Sequence, residues 1–200
     1  TIGTEQRDDR LIWEDSAHKD WQASPTVTDD GKYLILTIGK GTDDKYRVLY
    51  RPLDRPDAGP IHLVGDFDAD YSFIDNDGPI FWFKTNKDAP RGKVVAIDIR
   101  NPEADHWIEL IPQAGETLGS VDVVADRFLA VYLKDAHTVV RVHDLQGKHI
   151  RDVRFPGLGT AVGFDGKRKD QETYYAFTSY TKPSAIYRYD VSTGEGKVWR

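Results

Sequence analysis

Apolar and polar residues alternate along this chain in short stretches, and the stretches return at a fixed interval. The clearest reads Val140-Arg-Val-His-Asp-Leu145, a run that ends in Asp-Leu before a Gly turn. Forty-six residues earlier Asp98-Ile99 holds the same place, and 46 before that Pro52-Leu53; 46 residues later it is Asp190-Val191. The starts of these runs keep the interval, at Val48, Val94, Val140 and Ile186, and so does a bulky series at Leu36, Trp82, Phe128 and Tyr174. The bulky series is expected to fill the layers between neighbouring sheets. Alternation of β-branched and aromatic residues predicts half-buried strands. A strand repeat of ~40–45 residues or a little more is the signature of propeller blades. No stretch of useful length keeps a helical period.

Turn signals divide the pattern further. Asp29-Asp-Gly31, Asn76-Asp-Gly78, Gln146-Gly147 and Ser192-Thr-Gly194 each separate two alternating runs, and Gly accepts the positive φ that tight hairpins require. Strands are predicted at 25–28, 32–38, 46–53 and 61–64, then at 71–75, 80–85, 93–99 and 107–111. Two further sets follow, at 118–124, 127–134, 138–145 and 148–155, and at 160–164, 172–180, 185–191 and 197–199. They group into four antiparallel four-stranded blades over roughly 21–66, 67–113, 114–156 and 157–200. Residues 1–9 read as a polar, frayed start, and 10–14 as one more strand, the outer strand of a preceding blade. The expectation is an all-β chain, a single partial β-propeller domain over 1–200. Closed propellers hold ~4–8 blades, and the unpaired strand makes this chain read as a segment of a larger ring. Such a segment would expose blade faces and strand edges and self-associate.

Composition narrows the function classes. Lysine and arginine number 27 against 33 acidic residues, for a net charge of −6, without the clustered basic face that nucleic acid requires. No apolar run approaches ~18 residues, so no membrane-spanning segment is expected. The absence of Cys excludes disulfides and thiolate metal sites, and there is no Met even at position 1, which reads as a fragment or a mature segment. No Gly-x-Ser-x-Gly elbow surrounds any serine, and the six histidines show no metal-pair spacing. His143 and His149 flank one predicted hairpin, where packing is the expected role. Asp66-Phe-Asp68-Ala-Asp70, with Asp77 at the twelfth place, has the alternating acids of a calcium loop. The sixth place, where such a loop needs Gly, is Tyr71, so an acidic connection between blades is the expectation. Lys84-Thr-Asn-Lys87 with Arg91 reads as a basic loop. No catalytic residue, metal site or cofactor is predicted.

At Lys84-Thr-Asn-Lys-Asp-Ala-Pro90 the chain resembles the Lys-Thr-Asn…Pro loop of the prolyl oligopeptidase propeller. Thr28-Asp-Asp-Gly-Lys-Tyr-Leu34, Gly41-Thr-Asp43, Phe128-Leu129 and Tyr132-Leu-Lys-Asp135 are similar to other stretches of that family. So are Phe155-Pro-Gly-Leu-Gly-Thr160, Gly163-Phe-Asp-Gly-Lys167, Tyr174-Tyr-Ala-Phe-Thr-Ser-Tyr180 and Ile186-Tyr-Arg-Tyr-Asp190. The resemblance implies part of a seven-bladed propeller that covers an α/β-hydrolase catalytic domain of the same chain. That domain carries the Ser, Asp and His of a peptidase cleaving short proline-containing peptides after proline, in the cytoplasm or periplasm. The propeller's implied role is to gate and filter substrates. Vertebrate members place a pocket-lining Cys in the inner strand before Phe-Leu, and the matching residue here is Val123, which keeps at most a pocket-wall role. Two other readings stay open: a non-enzymatic propeller serving as an interaction scaffold, and the propeller of an oligopeptidase B-like peptidase.

Overall fold

The computed structural model describes residues 3–55 and 57–200. Residue-to-residue contacts divide the chain into two compact units, one ending at Ala69 and one running from Asp70 to Arg200. The first holds β1 (Trp21–Val27), β2 (Tyr33–Lys40), β3 (Arg47–Pro52) and β4 (Ile61–Val64). The second holds β5 (Tyr71–Asp77), β6 (Ile80–Thr85), β7 (Lys93–Asp98), β8 (Ile108–Ile111), β9 (Thr117–Val124), β10 (Arg127–Lys134), β11 (His137–Asp144), β12 (His149–Asp152), β13 (Thr160–Gly163), β14 (Glu172–Ser179), β15 (Lys182–Asp190) and β16 (Gly196–Val198). Among the described residues these strands form four antiparallel four-stranded sheets, each with its strands in chain order. Up-and-down sheets of this kind are the blades of a propeller.

The 46-residue repeat has a chemical basis at the end of each third strand. Asp98 accepts the N–H of Arg100 at 2.9 Å, Asp144 that of Gln146 at 3.0 Å, and Asp190 that of Ser192 at 2.9 Å. Each Asp thus closes an Asx turn two residues on, turning the chain back into the fourth strand. In the first sheet the same place is Pro52, which pre-sets φ instead.

The second strands do not keep this interval. Ile80 pairs with Asp98, Arg127 with Asp144 and Glu172 with Asp190, so β6, β10 and β14 advance by 47 and then by 45 residues. A shift of one residue turns every side chain of a strand to its other face. Trp82 and Phe128 are therefore not equivalent positions, as their spacing suggested. They meet edge to face across one interface, ring centroids 5.2 Å apart, in a cluster with Val94, Ala96, Val121 and Val123. The opposite face of the third sheet presents Leu129, Val140 and Val142 to Tyr175, Phe177 and Tyr189 of the fourth. Each interface in this unit is thus a two-sided apolar layer, while the pleat directs alternate residues to opposite layers.

Hairpin chemistry sets the strand ends. Ala125 and Asp126 have φ of 52° and 54°, and Asp135 and Ala136 have 42° and 61°, the left-handed pairs of two-residue hairpins. β5 and β6 extend to pair Asp77 with Ile80, leaving Gly78-Pro79 as a two-residue loop shorter than the predicted one. β15 begins at Lys182 rather than 185 and takes in Pro183. A bulge between Phe177 and Ser179 interrupts the ladder beside it, where a missing N–H is tolerated.

The start of the chain departs from the sequence reading. Gln6–Asp8 form one 3-10 turn, and residues 1 and 2 of the expected frayed start lie outside the described residues. Residues 10–14, expected as an outer strand, join no ladder, because no strand among the described residues pairs with them. Ile12 and Trp13 pack instead on Leu36, Ile38 and Leu49.

Candidate functional site

The hairpin ends of the second unit converge on one side chain. Arg168 lies in the connection between β13 and β14. Its Nε donates to Asp126 Oδ1 at 2.5 Å, and its Nη1 donates to the Asn76 carbonyl at 3.2 Å and faces Asp77 Oδ1 at 3.4 Å. Its guanidinium lies 5.5 Å from the centre of the Trp82 ring. Asp126 is carried by the β9–β10 turn and Asn76 and Asp77 by the end of β5, so one guanidinium, itself carried by the fourth sheet, touches the second and third. A second arginine, Arg151 on β12, reaches the fourth sheet at the Val191 and Ser192 carbonyls and the Tyr189 hydroxyl.

Beside these contacts β9 is an edge strand of its sheet. Asp122 on it is half-buried, and burial, with the nearby Asp165 carboxylate adding to it, pushes its pKa up to about 6. A carboxyl group so placed is held partly neutral near physiological pH.

At the other ends of the same strands a groove of about 520 Å³ opens between the β10–β11 turn, the β12–β13 connection and the β14–β15 turn. Leu158 and Tyr180 stand exposed on its walls, with Ala136, His137 and Thr160 between them. Its floor is tied across two sheets: Thr138 N–H donates to the Gly159 carbonyl, and the Ala161 N–H donates to Thr138 Oγ1, each at 3.0 Å.

Other residues singled out by the sequence are distributed differently. Val123 is buried on β9 opposite Phe128, inside the apolar layer with Trp82, and lines neither this groove nor the smaller acidic one beside Asp165 and Asp170. Lys84 and Thr85, expected in a basic loop, belong to β6. Lys84 Nζ pairs with Asp70 at 2.9 Å and Thr85 is fully buried, so these two brace the fold, while Arg91 stays exposed and donates to the Gly115 carbonyl. Asp70, the last acid of the calcium-like stretch, is engaged by Lys84 and Ser72. Among the described residues no group of three or more acidic or histidine side chains is arranged to hold a metal ion. His143 and His149 do meet, edge to face at 5.5 Å. His143 is buried with Nδ1 donating to the Gly147 carbonyl, and burial pushes its pKa down. Arg168 and Asp122 were not legible in advance, since each acquires its setting only when hairpins far apart in sequence are brought together.

Comparison with known proteins gives this architecture a family. The model of the prolyl oligopeptidase N-terminal β-propeller domain matches residues 1–200. The chain is 33% identical over 199 residues to a prolyl endopeptidase of Elizabethkingia meningoseptica, covering 100% of this chain and 28% of that protein. It is 30% identical over 203 residues to prolyl oligopeptidase A of Galerina marginata, covering 99% of this chain and 27% of that one. It superposes on a solved prolyl endopeptidase with a TM-score of 0.90 at 33% identity, over 100% of this chain and 29% of that one. On prolyl oligopeptidase B of Galerina marginata the TM-score is 0.89 at 26% identity, again over 100% and 29%. The chain thus spans under a third of the length of these relatives. With four sequential four-stranded sheets and a match along its whole length, the chain belongs to the N-terminal β-propeller domain family of the prolyl oligopeptidases.

Proposed function

We propose that this chain is the substrate-filtering propeller of a prolyl oligopeptidase, a serine peptidase that cleaves short peptides after proline. Its partner in this reading is an α/β-hydrolase domain of the same polypeptide, which would supply the Ser, His and Asp of the triad. The propeller contributes no catalytic residue. It restricts access, so that short flexible peptides reach the reacting groups and folded proteins do not.

One observation carries the reading: similarity to prolyl endopeptidases runs unbroken through all four sheets, at 33% identity. The groove walled by Leu158 and Tyr180 suits a role against a second domain, because apolar side chains exposed together mark contact surfaces. In this reading Val123 would support the pocket wall only through the apolar layer in which it is buried with Trp82 and Phe128. The experiment is cleavage of chromogenic peptides by the full-length protein that carries this propeller. Release after proline, with a steep fall in kcat/KM as the peptide lengthens, is the expected result. Efficient cleavage after Arg or Lys with none after Pro would transfer the protein to the oligopeptidase B-like group. Absence of any cleavage would favour a scaffold.

A further inference from the structure

We propose that Arg168 is a latch that ties the turn ends of three successive sheets together, and that its release is what lets those ends separate. The layers between the sheets are apolar, and apolar contact is non-directional, so it resists separation without fixing the position of one sheet edge against the next. The guanidinium supplies that direction. Its planar fork engages Asp126 and the Asn76–Asp77 segment together, as Arg can and Lys cannot, and its face covers Trp82.

The contact is built to open. The Asp126 and Asp77 side chains are 59% and 66% exposed, and that of Arg168 is 31% exposed. Ion pairs in such settings contribute little to global stability and weaken with salt. A link of this strength can break without unfolding the sheets whose cores lie beneath it. The hairpins it joins differ in what they can do alone: the Ala125-Asp126 turn holds two non-glycine residues at positive φ, so Asp126 is presented at a fixed tip. As a contact the latch stands on geometry alone. As a means of admitting peptides it rests on the filtering role proposed above.

Hydrogen exchange on the full-length protein tests it, with wild type, Arg168→Met, Arg168→Lys and Asp126→Asn compared at low and high salt. The expected result is a rise of roughly threefold or more in exchange at residues 76–80 and 124–128 for Arg168→Met and Asp126→Asn. Wild type should move toward the same values in 1 M salt, Arg168→Met should not respond to salt, and Arg168→Lys should fall between. Unchanged exchange at those turns in both charge-removing variants, or a salt-independent wild type, overturns the latch. If Arg168→Met does not fold, Asp126→Asn and the wild-type salt series decide alone. Peptide-length selectivity in the same variants separates the two claims. A relative gain in kcat/KM for the longer peptides supports the latch as a gate. Raised exchange with unaltered selectivity retains the latch and overturns its part in filtering.

Discussion

A side-chain carboxylate that accepts backbone N–H groups is worth more than its exposed position suggests. Asp190 accepts from Ser192 and Thr193 and from the Ser192 hydroxyl, and these bonds, led by the Ser192 hydroxyl, hold its pKa down to about 2. Its folded value lies below the unfolded one, so the stability it contributes is present above about pH 4 and is lost as pH falls toward 2. Replacing it with Ala should cost about 1 kcal/mol at pH 7, as removal of a comparable cap does, with the difference vanishing in acid. Equal melting of Asp190→Ala and wild type at neutral pH would show that the turn forms without it. Asp122 has the opposite sign. Its folded value is raised above the unfolded one, so it opposes folding increasingly as pH rises from about 4 through 6, and the penalty then stays constant. Because the group is only half-buried and water screens part of its charge, the cost is discounted to about 1–2 kcal/mol. Asp122→Asn should therefore raise the melting temperature at pH 7.5 and lose most of that gain below pH 4.5. A gain of the same size at both pH values would assign the effect to packing.

Hairpins explain both what could be read in the chain and what could not. Most turn positions, the grouping into four four-stranded sheets and the Asp98, Asp144 and Asp190 series were legible, because each is written in a few adjacent residues with a local reason, whereas the strand read at 10–14 was not formed. The facing of the second strands was not. Trp82 and Phe128 share the repeat spacing, yet the hairpin from Arg127 to Asp144 is one residue shorter than that from Ile80 to Asp98. That single residue reverses the pleat, and no local pattern records it, since both faces of these strands are apolar. The Arg168 contacts were hidden for a related reason: Asp77, Asp126 and Arg168 each look like ordinary polar turn residues until three turns are placed side by side. The Ala125-Asp126 turn offers a direct test at this scale. Ala at positive φ carries a steric cost of about 1 kcal/mol that Gly does not. Ala125→Gly should stabilise the protein by up to that amount in urea titration, less the entropy Gly loses on folding. A loss of more than 1 kcal/mol would mean that its methyl group packs rather than strains.

Across the whole chain, one member of the repeat breaks the burial pattern of the others. Val48, Val94 and Val140 are fully buried, whereas Ile186, at the same step, is 42% exposed. Val162 at 61%, Tyr174 at 43% and Trp199 at 54% are also exposed on the fourth sheet. Val162 and Ile186 both face Ala176 across the ladder, so they lie on one face, the face opposite the buried layer of Tyr175, Phe177 and Tyr189. In the second and third sheets the corresponding third-strand faces, with Val94 and Val140, are covered by the sheet that follows. An apolar face of this kind in water associates with whatever apolar surface it meets. The 200-residue chain in isolation should therefore self-associate at micromolar concentration, and sedimentation velocity should find species larger than one chain. Val162→Lys with Ile186→Lys places charge on that face while leaving the buried layer intact. Withholding two aliphatic side chains from burial should cost the association about 3 kcal/mol, a factor of more than a hundred in the association constant. A wild-type chain that sediments as a monomer throughout would defeat the prediction. A double variant that associates as strongly as wild type would move the contact to the free strand edges, where backbone groups rather than side chains do the pairing.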